Sequence, residues 1–325
     1  MKKCNLKLKV LSLVLFLTTL SQVLLSQDKN DQAFSIIAFG DMPYVLPQDY
    51  ARFENVIKTI NDQKPAFSVN VGDFKASSTP CSEEVFTKIL NYYQQFDQPM
   101  IYTPGDNEWT DCTKKDAGAY DAEERLMLLR KMFFKDQNSF GKQKLTLSSQ
   151  SKNPDFVNYV ENNYWFYHSV AFATMNIVGS NNNFLPTSKN GNKEFFEREK
   201  ANLAWMEETF KKAKENNAKA VVFVIQADMY LGNKDLKEAS GFIQIKKKLA
   251  ELSADFKKPV LLINGDSHDF IIEKPIVEDQ KTKKCLENFT RLQVPGESNM
   301  HVTKIYINPN APSVFMFEEI HVTGN

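Results

Sequence analysis

The sequence has no Cys-x-x-Cys pair, no Gly-x-Ser-x-Gly elbow, no internal repeat and no excess of either charge. With only four cysteines in 325 residues and none at that spacing, a cysteine-rich metal centre is not expected. Without the elbow, the adjacent Ser267, His268 and Asp269 do not read as a nucleophilic triad, because sequence neighbours rarely converge in space. Forty basic residues balance forty acidic ones, and setting aside Lys2, Lys3, Lys7 and Lys9 leaves 36 against 40, so no polyanion partner is implied. The Lys246, Lys247, Lys248 cluster lies on a predicted helix and reads as a solvated face, not a nucleic-acid patch. No Pro/Gly linker or low-complexity tract divides the chain. Residues 27–325 are therefore expected to fold as one domain, with polar loops over Lys142 to Asn163 and Ser180 to Lys193.

A hydrophobic run long enough to span a bilayer is also missing. The apolar stretch from Val10 to Leu20 is short, Thr18, Thr19, Ser21 and Gln22 interrupt its continuation, and four lysines precede it. That layout predicts a secretory signal peptide over residues 1–26, with cleavage after Ser21 or Ser26. The mature chain is then secreted or periplasmic and keeps no stable membrane span. Cys4 precedes the apolar core and marks no lipid attachment. Cys81 and Cys112 follow the second and third of four similar strand ends, so a disulfide between neighbouring loops is expected in an oxidising compartment, leaving Cys285 as a free, buried thiol. Asn288-Phe289-Thr290 fits a glycosylation sequon.

What the chain does contain is a recurrent strand ending. SIIAFGD, FSVNVGD, MIYTPGD and LLINGDSH deliver Asp41, Asp73, Asp106 and Asp266 after short apolar, β-branched runs. Open α/β sheets place ligands beyond the carboxyl ends of their strands, so these carboxylates are predicted to share one rim. Crowded like charges raise one another's pKa unless a cation or a dense set of donors compensates them. Strands near Phe34, Phe67 and Met100 alternate with helical patterns at Tyr50 to Ile60 and Glu83 to Gln94, which predicts a parallel βαβαβ start. Asp121 to Phe134 and Glu194 to Glu215 read as helices, and Tyr164 to Val178 as a hairpin. Buried strands at Ala220 to Ile225 and Val260 to Ile263 flank a helix near Leu236 to Leu252. The tail strands Phe289 to Val294, Lys304 to Ile307 and Val314 to Phe317 are expected to complete a second sheet packed on the first.

The order Asp41, Gly72-Asp73, Gly105-Asp106-Asn107-Glu108, Gln226 and Gly265-Asp266-Ser267-His268 resembles the calcineurin-like metallophosphoesterase superfamily over most of the mature chain. The stretches TPGDNEWTDC, QADM and GDSH resemble an uncharacterised branch of it. The resemblance implies an α/β fold, a four-layer αββα sandwich of two mixed sheets flanked by helices. It also implies two divalent metal ions that activate water for attack on a phosphate ester. Carried over, Asp73 bridges the ions, Asp41 and His268 complete one site, and Asp106, Gln226 and Asp266 form the other. The departures are Pro43, Asp106, Gln226 and Asp266, where the superfamily has His, Asn, His and His, and Asn107 at the general-acid position. Three of the four ligand changes supply oxygen donors, which favour Mn²⁺ or Mg²⁺, then Ca²⁺, over Fe or Zn.

Asn107 cannot titrate, so the resemblance leaves it to position the phosphate, with Glu108 or Asp228 as alternative proton donors. Tyr44, Asn181 and Asn182, together with Asn183, are candidates for binding a phosphorylated small molecule or diester. A packed loop aromatic and an Asn-rich turn are the plainer readings of those positions. His168, His301 and His321 have weak individual claims, with His301 the one placed to replace a missing ligand. The expected function is a metal-dependent phosphoesterase. The alternative is a metal- or phospholigand-binding protein of the same fold without turnover.

Overall fold

The computed structural model describes residues 31–188, 191–231, 240–279 and 281–324. The predicted signal segment with Cys4, and the start of the helix predicted at Leu236, lie outside the described residues.

Two mixed sheets form the centre. In the first, β1 (Phe34–Phe39), β2 (Ser68–Asn70) and β3 (Met100–Tyr102) run parallel, joined through α1 (Asp49–Gln63) and α2 (Glu83–Tyr93). The second has seven strands in the order β4 (Ser148–Ser149), β5 (Asn163–Tyr167), β6 (Val170–Thr174), β7 (Ala220–Val224), β8 (Val260–Asn264), β12 (Phe289–Gln293) and β9 (Ile271–Glu273). Within it β6, β7, β8 and β12 are parallel, with β5 and β6 the predicted hairpin.

The layering follows from the two-residue period of each strand. Ile36, Ala38, Val69 and Val71 face Val222, Val224, Leu261 and Ile263 in a core between the sheets. The alternate residues Ile37 and Phe39 pack on Phe53 and Val56 of α1 and on Phe86 and Ile89 of α2. On the far side, Val221, Phe223 and Leu262 pack on Trp205 and Phe210 of α4 (Lys193–Glu215) and on Ile245 and Leu249 of α5 (Ile243–Phe256). Between these, α3 (Ala122–Phe133) starts at Asp121, whose Oδ1 accepts the Glu124 N–H at 2.8 Å and so satisfies an otherwise orphaned donor. The result is the expected αββα sandwich. Among the described residues no helix is long and apolar enough to cross a membrane.

Two expectations are corrected. The tail does not stay in one sheet: β12 joins the second, whereas β13 (Val302–Ile307) joins the first antiparallel to β1, and β14 (Phe315–Ile320) pairs antiparallel to β13 at its edge. Ile305 and Ile307 reach the core between the sheets only from that edge, in register with Ile36 and Phe34. Cys285 is half-exposed, not buried, because it ends the small hairpin of β10 (Val277–Asp279) and β11 (Lys284–Cys285) outside the main layers. Cys81 and Cys112 are brought together as a pair, both buried, with Cα atoms 5.7 Å apart. Asn288 Nδ2 of the sequon donates to Ser253 O and Lys258 O, each at 2.8 Å, and is therefore already engaged.

Candidate metal and phosphate site

The four Gly-Asp endings meet, but across two sheets instead of along one. Asp41, Asp73 and Asp106 leave the carboxyl ends of β1, β2 and β3, while Gln226 and Asp266 leave β7 and β8. The seam is tight: Asp41 Oδ1 accepts the Asp266 N–H at 2.9 Å, and a Cβ placed on Gly265 would lie 2.0 Å from Asp41 Oδ2. That approach requires glycine. Asp41, Asp73, Asp266 and His268 all adopt left-handed backbone, with φ of 52°, 54°, 80° and 64°. Non-glycine residues take that conformation at a cost, of order 1 kcal/mol or more each, which a packed surrounding must offset.

Every carboxylate of the cluster draws on protein donors. Asp73 Oδ1 accepts the Asn107 N–H at 3.1 Å, and its Oδ2 accepts Tyr44 OH at 3.2 Å and Gln226 Nε2 at 3.1 Å. Tyr44 OH in turn accepts from Asn107 Nδ2 at 3.1 Å and lies 3.4 Å from His268 Nε2. His268 Nε2 is 3.6 Å from Asp41 Oδ1, and its Nδ1 is 3.2 Å from Glu297. Ser180 Oγ lies 2.8 Å from both Asp106 Oδ2 and Asp111 Oδ1.

Burial dominates the electrostatics, with mutual repulsion added to it. It pushes Asp41 and Asp73 well above the usual carboxylate range and Asp106 up to about 7, and it raises Asp266. Glu108 is pushed up to about 7 by burial, against hydrogen bonds from backbone N–H groups and the charge of Lys75. Lys75 is itself fully buried, and loss of solvation lowers it to about 8 although Glu108 and Asp73 pull the other way. Sequence reasoning missed Lys75, Asp111 and Ser180. Lys75 had a signal, being the basic residue two positions after Asp73 in GDFK.

The predicted proton donors are committed elsewhere. Glu108 accepts the Phe74 N–H at 2.5 Å and the Gly105 N–H at 2.7 Å, bracing the second and third strand ends from below. Asp228 is ion-paired with Arg291 at 2.8 Å and also accepts Ser267 Oγ and the Tyr230 N–H. Asn181 and Asn182 belong to a left-handed turn, Ser180 to Asn183, with φ between 49° and 58°. Asn181 Oδ1 accepts the Gly241 N–H, Asn182 Nδ2 donates to Gly241 O, and Asn183 Nδ2 donates to Glu194. Asn182 is buried and Asn181 and Asn183 are half-buried, and these bonds commit the three amides to holding the turn. His301 packs edge-on against His321 and accepts the Val322 N–H, which makes it part of the tail packing. Tyr44, read from sequence as a packed loop residue or a group over the site, does stand among Asp73, Asn107 and His268.

Whether a cation fits rests on two atoms. Asp41 Oδ2 and Asp106 Oδ1 are buried with no hydrogen-bond partner. Orphaned carboxylate oxygens in a cluster of raised acids suit a hard divalent ion. The full expected ligand set is not assembled, however: among the described residues no group of three or more His, Cys, Asp or Glu is arranged to hold a metal. Hydrogen bonds between Gln226 and Asp73, and the Tyr44 hydroxyl between Asp73 and His268, occupy the lone pairs concerned.

The sequence matches the profile of the calcineurin-like phosphoesterase family over residues 34–270. No curated protein matches it. Solved structures similar to the chain include GAP50, the anchor in the inner membrane complex of Plasmodium, at 12% identity over 89% of each chain with a TM-score of 0.48. Purple acid phosphatase PPD1 of yellow lupin (Lupinus luteus) is 11% identical over 90% of this chain and 54% of its own, with a TM-score of 0.48. A 5'-nucleotidase from Candida albicans is 12% identical over 88% of this chain and 50% of its own, with a TM-score of 0.47. The chain thus spans about half the length of those two enzymes.

Proposed function

We propose that this chain, which belongs to the calcineurin-like phosphoesterase family, hydrolyses a phosphate ester with the help of a divalent cation, Mn²⁺ or Mg²⁺ first. The observation that carries this reading is the pair of orphaned oxygens, Asp41 Oδ2 and Asp106 Oδ1, among the buried acids of one seam. Asp41, Asp73, Asp106, Asp266 and His268 are the residues that would hold the cation. When bound, a divalent ion polarises the phosphoryl oxygen and makes an attacking water more acidic.

The chain's own residues then supply position. Asn107 Nδ2 donates to Tyr44 OH, which donates to Asp73 Oδ2, and the second proton of the Asn107 amide is the donor suited to orienting a phosphoryl oxygen. Asn107 has no proton to give at neutral pH, Glu108 is held by the Phe74 and Gly105 N–H groups and Asp228 is paired with Arg291, so esters with good leaving groups are the preferred substrates. The same shortage of a proton donor favours a second reading, a phospholigand-binding protein without turnover.

Asp73→Ala separates the two. Hydrolysis of p-nitrophenyl phosphate and its bis-ester, with bound metal measured by mass spectrometry, is expected to fall more than about a hundredfold along with loss of the ion, a larger effect than a supporting residue gives. Metal retained by the variant would reject Asp73 as a ligand. Wild-type protein that binds ligand and metal with no turnover would establish the second reading.

The expected setting is extracellular or periplasmic. There the Cys81–Cys112 pair persists as a disulfide closing a 31-residue separation. Reduction is then expected to lower stability by about 2–4 kcal/mol, read as a fall in Tm on adding phosphine reductant. An unchanged Tm would mean that the thiols are not bonded.

A further inference from the structure

The amide of Gln226 is oriented by its neighbours at both ends. Oε1 accepts the Gly179 N–H at 2.5 Å, and Nε2 donates to Asp73 Oδ2 at 3.1 Å. The same side chain holds the Asp266 carboxyl down, as a donor to its charged form does, so it is the NH2 group that faces both acids. Turning the amide over would set its NH2 against the Gly179 N–H and its oxygen against Asp73 and Asp266. The Gly179 N–H, which can only donate, opposes that arrangement whatever the protonation of the two acids.

Gly179 has no room to retreat. A Cβ placed on it would lie 2.8 Å from both Asp106 Oδ2 and Asp266 Oδ1, so its backbone is already wedged between those carboxylates. The left-handed turn that follows is clamped by Arg198, which donates to Asn182 Oδ1 at 2.5 Å, Asn182 O at 2.9 Å and Asn176 O at 3.0 Å. The donor facing Gln226 is therefore fixed, and with it the direction of the amide.

We propose that Gln226 is not a metal ligand but a neutral donor that fills the ion position between Asp73 and Asp266, so that the site takes one divalent ion and not two. The NH2 group, bonded to Asp73 and facing Asp266, does for that pair of carboxylates what a second cation would do, without an ion. The remaining capacity lies with the free oxygens of Asp41 and Asp106. The count of one rests on the metal-dependent reading above; the closure of the position by Gln226 does not.

The test needs no substrate. Wild type, Gln226→Glu and Gln226→Ala are equilibrated with Mn²⁺ and desalted, bound metal is counted by mass spectrometry, and each Mn²⁺-induced shift in Tm is recorded. Glutamate keeps one oxygen on the Gly179 N–H and puts a second oxygen where the NH2 stood. The expected result is one equivalent in wild type, two in Gln226→Glu with the largest Tm shift, and at least one in Gln226→Ala, which vacates the position without adding a ligand, so that a second ion there also supports the closure. No ion in wild type but one in Gln226→Glu would still support the closure while removing the basis for metal-dependent hydrolysis. Two ions in wild type, an ion lost in Gln226→Ala, or the same count in wild type and Gln226→Glu would each overturn the proposal. The Tm of each variant without metal reports that it is folded.

Discussion

Arg198→Ala is expected to lower stability by about 3–5 kcal/mol, the usual cost of removing one partner from a buried ion pair. Arg198 is fully buried on α4 and uses its whole guanidinium. Its Nε donates to Glu194 at 2.6 Å, and Nη1 and Nη2 reach Asn176 and Asn182. The guanidinium also lies 5.1 Å from the ring centroid of Trp109, which is itself buried. Burial pushes the Glu194 carboxyl up, but the charge and hydrogen bonds of Arg198, with the Asn183 amide and the charge of Arg130, together hold the group below its ordinary value. Alanine would therefore take the guanidinium from a half-buried carboxylate and from three backbone or amide acceptors at once, of which Asn182 O loses its side-chain donor. Lysine keeps the charge but cannot span these partners, so Arg198→Lys should recover only part of the loss. Urea denaturation followed by circular dichroism reads both values. A loss under about 1 kcal/mol for alanine would show that water replaces the guanidinium and that the 180–183 turn stands without it.

The second large effect is a stability that falls as pH rises. In metal-free protein, Asp106 and Glu108 titrate near 7 in the fold, against ordinary values of 3.8 and 4.5. Between about pH 4 and 7 the folded chain thus holds more protons than the unfolded one. Linkage then makes the unfolding free energy decrease with pH across that window. The stabilising contribution is complete below about pH 4 and is lost by about pH 8. Asp41 and Asp73, raised for the same reason of burial, act in the same direction. The sum is expected to reach several kcal/mol, because each tenfold change in proton affinity between the folded and unfolded chain is worth about 1.4 kcal/mol. Above about pH 8 the sign reverses for Lys75, whose folded value near 8 lies below its ordinary 10.5. Thermal unfolding in chelator at pH 5 and pH 8 measures the slope, and Mn²⁺ at pH 8 should restore most of the difference. A flat profile in chelator would mean that the donors around the cluster already neutralise it.

Much of this was legible in the chain, for stated reasons. The Gly-Asp endings of β1, β2, β3 and β8 were visible because parallel buried strands read as unbroken apolar runs, and the helices between them carried a clear period. The destination of β13 and β14 was not legible. Alternation tells which residues are buried but not which edge a strand joins, and the pairing of β13 with β1, on which β14 builds, spans nearly the whole chain. At the site, Asp41, Asp73, Asp106 and Asp266 were found from their strand ends. Their roles depended on partners distant in sequence: Gly179 orients Gln226 from 47 positions away, and Phe74 captures Glu108 from 34. No local pattern records those distances. Ser180 and Asp111 stood in segments that read as an ordinary turn and a loop, and the Ser180 contact with Asp106 arises only when the 180–183 turn packs against the third strand end.

The seam gives the site a mechanical side. Asp41, Asp73 and Asp106 belong to one sheet, and Gln226, Asp266 and His268 follow strands of the other. Apolar contact holds the sheets face to face but has no preferred direction, so on its own it resists sliding weakly. The bonds from the Asp266 N–H to Asp41 and from Gln226 to Asp73 act as rivets against that slip. Any ligand bridging the same carboxylates adds another, and at a hundredfold excess over its Kd it contributes about 2.7 kcal/mol to the folded state. Occupancy of one small spot at the end of the sandwich would then set how readily the whole molecule shears open to a protease in the surrounding medium.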